Sequence, residues 1–323
     1  MKRLFVTQRL FDDTMRVFDG SGIDVEVRDS DEPMTTAELR DRLGGYHGVI
    51  CLLTDRIDQR VLEANQRLEV VSNVAVGYDN IDVATAGRLG IVVTNTPDVL
   101  TETTAELTIA LMFAVARRIP EADSFARSGN WSRWKLLPEQ AGLDLNGKTL
   151  GLYGMGRIAR AVARRAVHGL GMRLLYTSRS ALPEPEETRL KAGRVGLDEL
   201  LASSDVLSLH APLTAETRRV IGARELAAMR PSAILINTAR GPLVDEAALA
   251  DALAHGRLWG AGLDVFEEEP RVHPALLGLH ERVVLTPHVG SATLETRREM
   301  ARIAAVNARA VLSGGKPPNP VTS

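Results

Sequence analysis

Short, unbroken apolar runs recur along this chain with helix-period segments between them. Leu4-Phe5-Val6, Val49-Ile50-Cys51-Leu52, Val70-Val71 and Ile91-Val92-Val93 are separated by Thr35–Leu43, Asp58–Asn65 and Asp82–Leu89. Continuous apolar runs mark strands buried on both faces, and a helix between successive strands returns the chain to run parallel. The rhythm restarts at Lys148, with strands expected at Thr149–Tyr153, Arg173–Tyr176, Val206–His210, Ala233–Asn237, Gly260–Asp264 and Val283–Thr286. The chain has 323 residues, more than one hydrophobic core usually serves, so the expectation is α/β with two doubly wound parallel-sheet domains.

Thr101–Ile119 reads as a long helix joining the two halves, opened by a capping box at Thr103-Thr104-Ala105-Glu106 ahead of the apolar run Leu107–Ala116. A loop, Gly129–Gly147, then carries Trp131 and Trp134, two of the three tryptophans. Something should cover such a loop: a second subunit or the parent chain. The chain ends in a helix, Thr293–Leu312, and a solvated tail at Gly314-Gly315-Lys316-Pro317-Pro318.

Lys and Arg number 39 against 41 Asp and Glu, a balance that offers no electrostatic case for nucleic acid or a membrane surface. Cys51 is the only cysteine, which excludes an internal disulfide and a thiolate metal cluster within one chain, and no metal site is expected. The first apolar run stops at Thr7-Gln8-Arg9, short of a signal-peptide core, and Leu107–Ala116 is about half the ~20 residues that span a bilayer. A cytoplasmic location is the expectation.

Between the strand Thr149–Tyr153 and a helix Arg157–Leu170 stand Gly154, Met155 and Gly156, with Ala159 completing G-x-G-x-x-A. The first glycine allows a tight turn, the second lets backbone approach a pyrophosphate, and the small third residue lets helix pack on strand. Free amides at the start of the helix, from Met155, Gly156, Arg157 and Ile158, together with the helix dipole, then attract phosphate. Glycines also end strands for conformational reasons alone. Here a strand precedes, a helix follows, and a second strand ends about twenty residues later, which makes this a dinucleotide site of Rossmann type.

That second strand ends in Ser178-Arg179-Ser180, where selectivity for NAD would put an acid on the ribose hydroxyls. Arg179 with its flanking serines suits a 2′-phosphate instead, unless Arg179 is simply a solvated surface residue. NADP(H) is the preferred cofactor on this reading, with NAD(H) also admitted.

Three further stretches each follow an expected strand: Asn237-Thr238-Ala239-Arg240-Gly241, Asp264-Val265-Phe266-Glu267-Glu268-Glu269-Pro270 and Thr286-Pro287-His288-Val289-Gly290. Ligands collect at the carboxyl ends of strands in open α/β sheets, so Arg240, Glu269 and His288 are positioned to converge. With these stretches the chain resembles the D-isomer-specific 2-hydroxyacid dehydrogenases over nearly its whole length. It looks closest to the glyoxylate/hydroxypyruvate reductases through Cys51-Leu52-Leu53-Thr54-Asp55, Val76-Gly77-Tyr78-Asp79, Thr96–Glu106 and Trp131-Ser132-Arg133-Trp134-Lys135. Ala159 departs from the glycine common in that family and is a tolerated change.

The resemblance implies a Rossmann domain at residues 100–287, inserted in a smaller flavodoxin-like substrate domain at 1–99 plus 288–323, a cleft that closes between them, and a homodimer. It implies reduction of a small 2-keto acid such as glyoxylate or hydroxypyruvate to the D-2-hydroxy acid. Arg240 would bind the substrate carboxylate and polarise the carbonyl, and His288 would give the proton, kept charged and oriented by a hydrogen-bonded Glu269. Leu53, Val76 and Gly77 would line the substrate site. Thr104, Ala239 and Asp264 would lie near the nicotinamide, with Asp264 on its amide, and Thr238, Gly290, His210 and Pro212 would also contact the cofactor.

Each residue has a plainer reading alone. Arg240 pairs with a structural carboxylate, Glu269 belongs to a solvated acidic run, His288 caps a helix, and His210 is structural. The same trio serves relatives acting on 2-ketogluconate and other substrates, and the fold also occurs in dinucleotide-sensing corepressors, though the chain carries no partner-recruiting tail.

Overall fold

Twelve parallel strands fall into two sheets in the computed structural model, which describes residues 1–321. Two compact units result, Met1–Leu100 with the stretch from Ala292 onward, and Thr101–Ser291.

In the smaller unit β1 (Lys2–Val6), β2 (Ile23–Val27), β3 (Gly48–Cys51), β4 (Val70–Asn73) and β5 (Val92–Thr94) are ordered β2-β1-β3-β4-β5, the flavodoxin-like arrangement. Residues of β3 and β4 are all buried, the polar Ser72 and Asn73 included, as strands covered on both faces require. Helix Thr36–Leu43 is set by a capping box between Thr35 and Glu38, and Asp58 and Asp82 cap the next two helices. Helix Leu294–Leu312, capped by Thr293, packs across β4 and receives the Ser72 hydroxyl at the Ala304 carbonyl, 2.8 Å.

The larger unit contains β6 (Thr149–Tyr153), β7 (Arg173–Thr177), β8 (Ala192–Arg194), β9 (Val206–Leu209), β10 (Ile234–Asn237), β11 (Gly260–Leu263) and β12 (Val283–Leu285). Their order, β12-β11-β10-β9-β6-β7-β8, reverses direction between β6 and β9, the Rossmann switch point where ligands bind. One face is filled by helices Thr101–Ala116 and Arg157–Leu170 with Met112, Leu150, Val162 and Ile236; the other holds Leu207, Leu235, Leu249 and Leu263. Each such buried side chain contributes about 1.5–3 kcal/mol, so the sheet is a stiff base for the loops at its edge.

Several expectations need correction. Helix Thr101–Ala116 begins two residues before Thr103, so Thr103 and Glu106 lie inside it and form no capping box at its start. It stops at Ala116, where Arg118 takes a left-handed φ of 51°, and a separate helix runs Ile119–Arg127. Two strands have no counterpart in the sequence reading, β2 and β8. Both are edge strands: β2 alternates apolar and acidic residues, and Ala192-Gly193-Arg194 has no apolar run at all. Residues 288–291 belong with the larger unit and not, as expected, with the smaller one, because the Asp264 carboxylate and backbone hold them.

Candidate active site

The ends of β10, β11 and β12 turn into one another. After β10, the buried Asn237 side chain folds the next residues into a tight turn, accepting from the Ala239 amide at 3.1 Å and donating to the Arg240 carbonyl at 2.9 Å. Arg240 begins on this turn and donates through Nη1 to the Ala239 carbonyl, 2.7 Å. Gly241 follows, and a Cβ placed there would fall 1.8 Å from the Phe266 carbonyl carbon. Only glycine allows this approach, and it sets the Arg240 turn directly against the turn carrying Glu269.

That second turn is held twice. Glu269 Oε1 accepts from the Phe266 amide at 3.0 Å, while Glu267 and Glu246 exchange backbone and side-chain bonds, the Glu267 amide donating to Glu246 Oε1 at 2.6 Å. Burial raises the Glu246 carboxyl above its ordinary range, opposed by the Glu267 amide. With Oε1 engaged, Glu269 offers Oε2 to His288 Nδ1 at 2.7 Å. The imidazole Nε2 then faces away from the carboxylate, and the half-buried ring is oriented from one side only.

His288 has a left-handed φ of 52°, unusual for a residue with a side chain. Asp264 imposes it. Its backbone carbonyl accepts from the His288 amide at 2.8 Å, its Oδ1 from the Thr286 hydroxyl (2.6 Å) and the Val289 amide (2.8 Å), and its Oδ2 from the Gly290 amide (2.8 Å). Asp264 is buried, which pushes its carboxyl up, and these donors pull the other way. Beside Gly290 lie Thr104 and, through it, a chain of hydroxyls: Thr108 donates to the Thr104 carbonyl at 2.8 Å and meets Thr238 at 2.9 Å. Thr108 has no motif around it and is legible only from its place one turn after Thr104.

At the switch point, Gly154 has φ 95° and its hydrogen faces the His210 carbonyl, where a Cβ would stand 2.7 Å away. Gly156 has open space above its Cα, and no side chain caps the helix Arg157–Leu170 that starts there. An uncapped helix start with glycine in front fits a pyrophosphate. Met155 is buried and Ile158 half-buried beneath the turn, with Arg157 the first residue of the helix. His210 Nε2 bonds Ser208 Oγ at 2.9 Å, and burial lowers its ring to about 4, so it is neutral. The carbonyl of Pro212 accepts the Thr217 hydroxyl at 2.7 Å, closing the loop after β9.

Past β7, Ser178 gives its hydroxyl proton to the Ser180 carbonyl, so it is not a ready donor to a ligand. Arg179 and Ser180 are exposed. Arg194 from β8, which the sequence reading passed over, donates to the carbonyls of Ser178 and Arg179. These residues and the uncapped helix are a fitting site for a nicotinamide dinucleotide.

The model of the family described as D-isomer specific 2-hydroxyacid dehydrogenase, NAD binding domain, matches residues 109–290. This chain belongs to the D-isomer specific 2-hydroxyacid dehydrogenases. A curated glyoxylate reductase of Thermococcus litoralis is 45% identical over 98% of this dehydrogenase and 96% of its own length. A crystal structure of a protein from Thermus thermophilus superposes with a TM-score of 0.91 at 46% identity, covering 99% and 100% of the two chains. An NADPH-dependent glyoxylate/hydroxypyruvate reductase from Sinorhizobium meliloti, solved with NADP and malonate, gives 0.86 at 35% identity, covering 99% and 97%. The dehydrogenase is thus an oxidoreductase with a domain for a nicotinamide dinucleotide. Among the described residues no helix is long and apolar enough to cross a membrane.

In its smaller unit, Leu53 follows β3, and Val76 and Gly77 follow β4, all half-buried. Asparagines tie these loops together. Asn80 donates to the carbonyls of Leu52 (3.1 Å) and Asp55 (3.0 Å), Asn73 to that of Gly77 (2.8 Å), and Asn95 to that of Val76 (2.8 Å). Asp55 is buried and accepts from the Leu52 amide at 2.8 Å; burial raises its carboxyl.

Proposed function

We propose that this dehydrogenase reduces glyoxylate or hydroxypyruvate to the D-2-hydroxy acid, with NADPH preferred over NADH. The observation that carries this reading is the 2.7 Å bond from His288 Nδ1 to a Glu269 that is itself fixed through Oε1. The reduced nicotinamide supplies the hydride. Arg240 binds the substrate carboxylate and polarises the carbonyl. His288 gives a proton from Nε2 to the carbonyl oxygen while its Nδ1 proton stays on the ring, donated to Glu269 Oε2, so the ring ends neutral with its orientation unchanged. Asp264, by fixing the turn through His288, is a positioning residue, and one lone pair of Oδ2 is left for the nicotinamide amide.

Residues 1–99 with the carboxyl-terminal helix are read as the substrate domain, with Leu53, Val76 and Gly77 at the site, and the residues from 100 as the dinucleotide domain. The NADPH preference rests on Arg179 in place of an acid. The names of relatives that act on glyoxylate support the substrate class; 2-ketogluconate and other small 2-keto acids are further candidates. We also read the chain as a cytoplasmic homodimer, its loop between Gly129 and Gly147 covered by a partner, since Trp131 and Trp134 are 65% and 75% exposed and Leu136 and Leu137 more so.

Oxidation of NADPH and of NADH by the purified protein, against a panel of 2-keto acids, tests the reading. Turnover is expected with glyoxylate and hydroxypyruvate, at lower KM for NADPH. No turnover with any 2-keto acid, from protein that binds NADPH, would reject the enzymatic assignment.

A further inference from the structure

Arg194 ends β8, in register with Tyr176 of β7, and its side chain reaches across the carboxyl end of β7. Through Nη2 it donates to two consecutive carbonyls, Ser178 at 2.9 Å and Arg179 at 3.0 Å. Both bonds leave from one nitrogen, and among the described residues the rest of this exposed guanidinium makes no hydrogen bond. Ser178 turns its hydroxyl into the same turn, toward Ser180. The turn is thereby closed on itself, with Arg179 projecting from it and Arg194 beneath it. Two cations share the end of the second strand of a dinucleotide fold, the place where the adenine ribose lies.

We propose that Arg194 is the second arm of a two-arginine cradle for a phosphate on the adenine ribose 2′ oxygen, with Arg179 the first; this rests on the NADPH preference proposed above. A phosphate monoester carries close to two charges at neutral pH and several acceptor oxygens, and a lone exposed arginine binds it weakly. A second guanidinium braced by two backbone carbonyls is pre-organised and loses little freedom on binding. Arg179 also faces competition. The exposed Glu216, held below the ordinary carboxylate range by Thr214 and by its own amide, is lowered further by Arg179, so a carboxylate stands within electrostatic reach of that guanidinium. A second cation held at the Arg179 carbonyl offsets it.

Calorimetric binding of 2′,5′-ADP and of 5′-ADP isolates the 2′-phosphate without turnover. The wild-type protein is expected to bind 2′,5′-ADP at least about ten-fold more tightly than 5′-ADP, with Arg194→Gln losing about ten-fold for 2′,5′-ADP and little for 5′-ADP. Arg194→Lys, which keeps the charge, is expected to recover most of that loss. Failure to discriminate by the wild-type protein would reject the NADPH reading itself. If discrimination is present and Arg179→Ala removes it while Arg194→Gln does not, the cradle is overturned and the NADPH reading stands. Equal losses for both nucleotides, or an Arg194→Lys protein as weak as Arg194→Gln, would reduce Arg194 to a brace for the turn.

Discussion

His210 offers a quantitative test of how tightly the switch point is closed. The ring is lowered from 6.5 to about 4 by burial alone, with its Nε2 against Ser208. Because the folded state resists protonation, the unfolded chain binds more protons between those values. The stabilisation is complete above pH 6.5 and is lost as pH falls toward 4. At pH 4.5 linkage gives a loss of about 2.5 kcal/mol from this residue, against almost none at pH 7.5. His210→Gln keeps a polar group near Ser208 and cannot titrate. Urea unfolding of both proteins at pH 7.5 and 4.5 should show the wild type losing about 2.5 kcal/mol more than the variant. Carboxyls raised by burial, Asp55, Glu246 and Asp264, shift stability in the opposite sense but equally in both proteins. A ring titration by NMR should show the folded imidazole neutral down to about pH 5. Identical acid sensitivity of the two proteins, or a ring midpoint near 6.5, would refute the argument.

His288→Ala should lower kcat by about 10²–10⁴-fold and leave NADPH binding nearly unchanged, measured by stopped-flow turnover and fluorescence titration. Glu269→Gln, which keeps the shape and removes the charge, should lower kcat more than it raises KM, and an unchanged kcat would remove Glu269 from the reaction. Gly154→Ala should cost about 1–3 kcal/mol in urea unfolding, since its φ of 95° and the His210 carbonyl both exclude a side chain. Asn80→Ala takes the side-chain donor from the carbonyl of Asp55 and leaves that of Leu52 only the Asp55 amide, and should destabilise the smaller unit by about 1–3 kcal/mol, read by hydrogen exchange in β3 and β4.

The central strands were readable because burial on both faces demands unbroken apolar runs, and the glycine turn because the backbone at Gly154 excludes a side chain. The edge strands β2 and β8 were not, since one side of each meets solvent and the packing that defines them comes from a neighbour. With β8 unseen, Arg194 could not be placed beside Ser178. Arg240, Glu269 and His288 stand out as candidates through resemblance and strand ends, whereas the bonds around them are hidden in the sequence: Glu246 on Glu267 and the clamp of Asp264 on residues 286–290 join distant segments. The supposed capping box at Thr103 failed for a related reason. Helix Thr101–Ala116 starts ahead of the local signal, with an exposed Glu102 that pairs with Arg164 and Arg165 of the neighbouring helix.

Gly241 lies so near the Phe266 peptide that the guanidinium-bearing turn and the carboxylate-bearing turn have no freedom to slide past one another. Substitution has little room to act there, because any added carbon at residue 241 would drive the two turns apart. The loops after β3 and β4 are built the other way: asparagine side chains hold their backbone and leave the side chains of Leu53 and Val76 exchangeable.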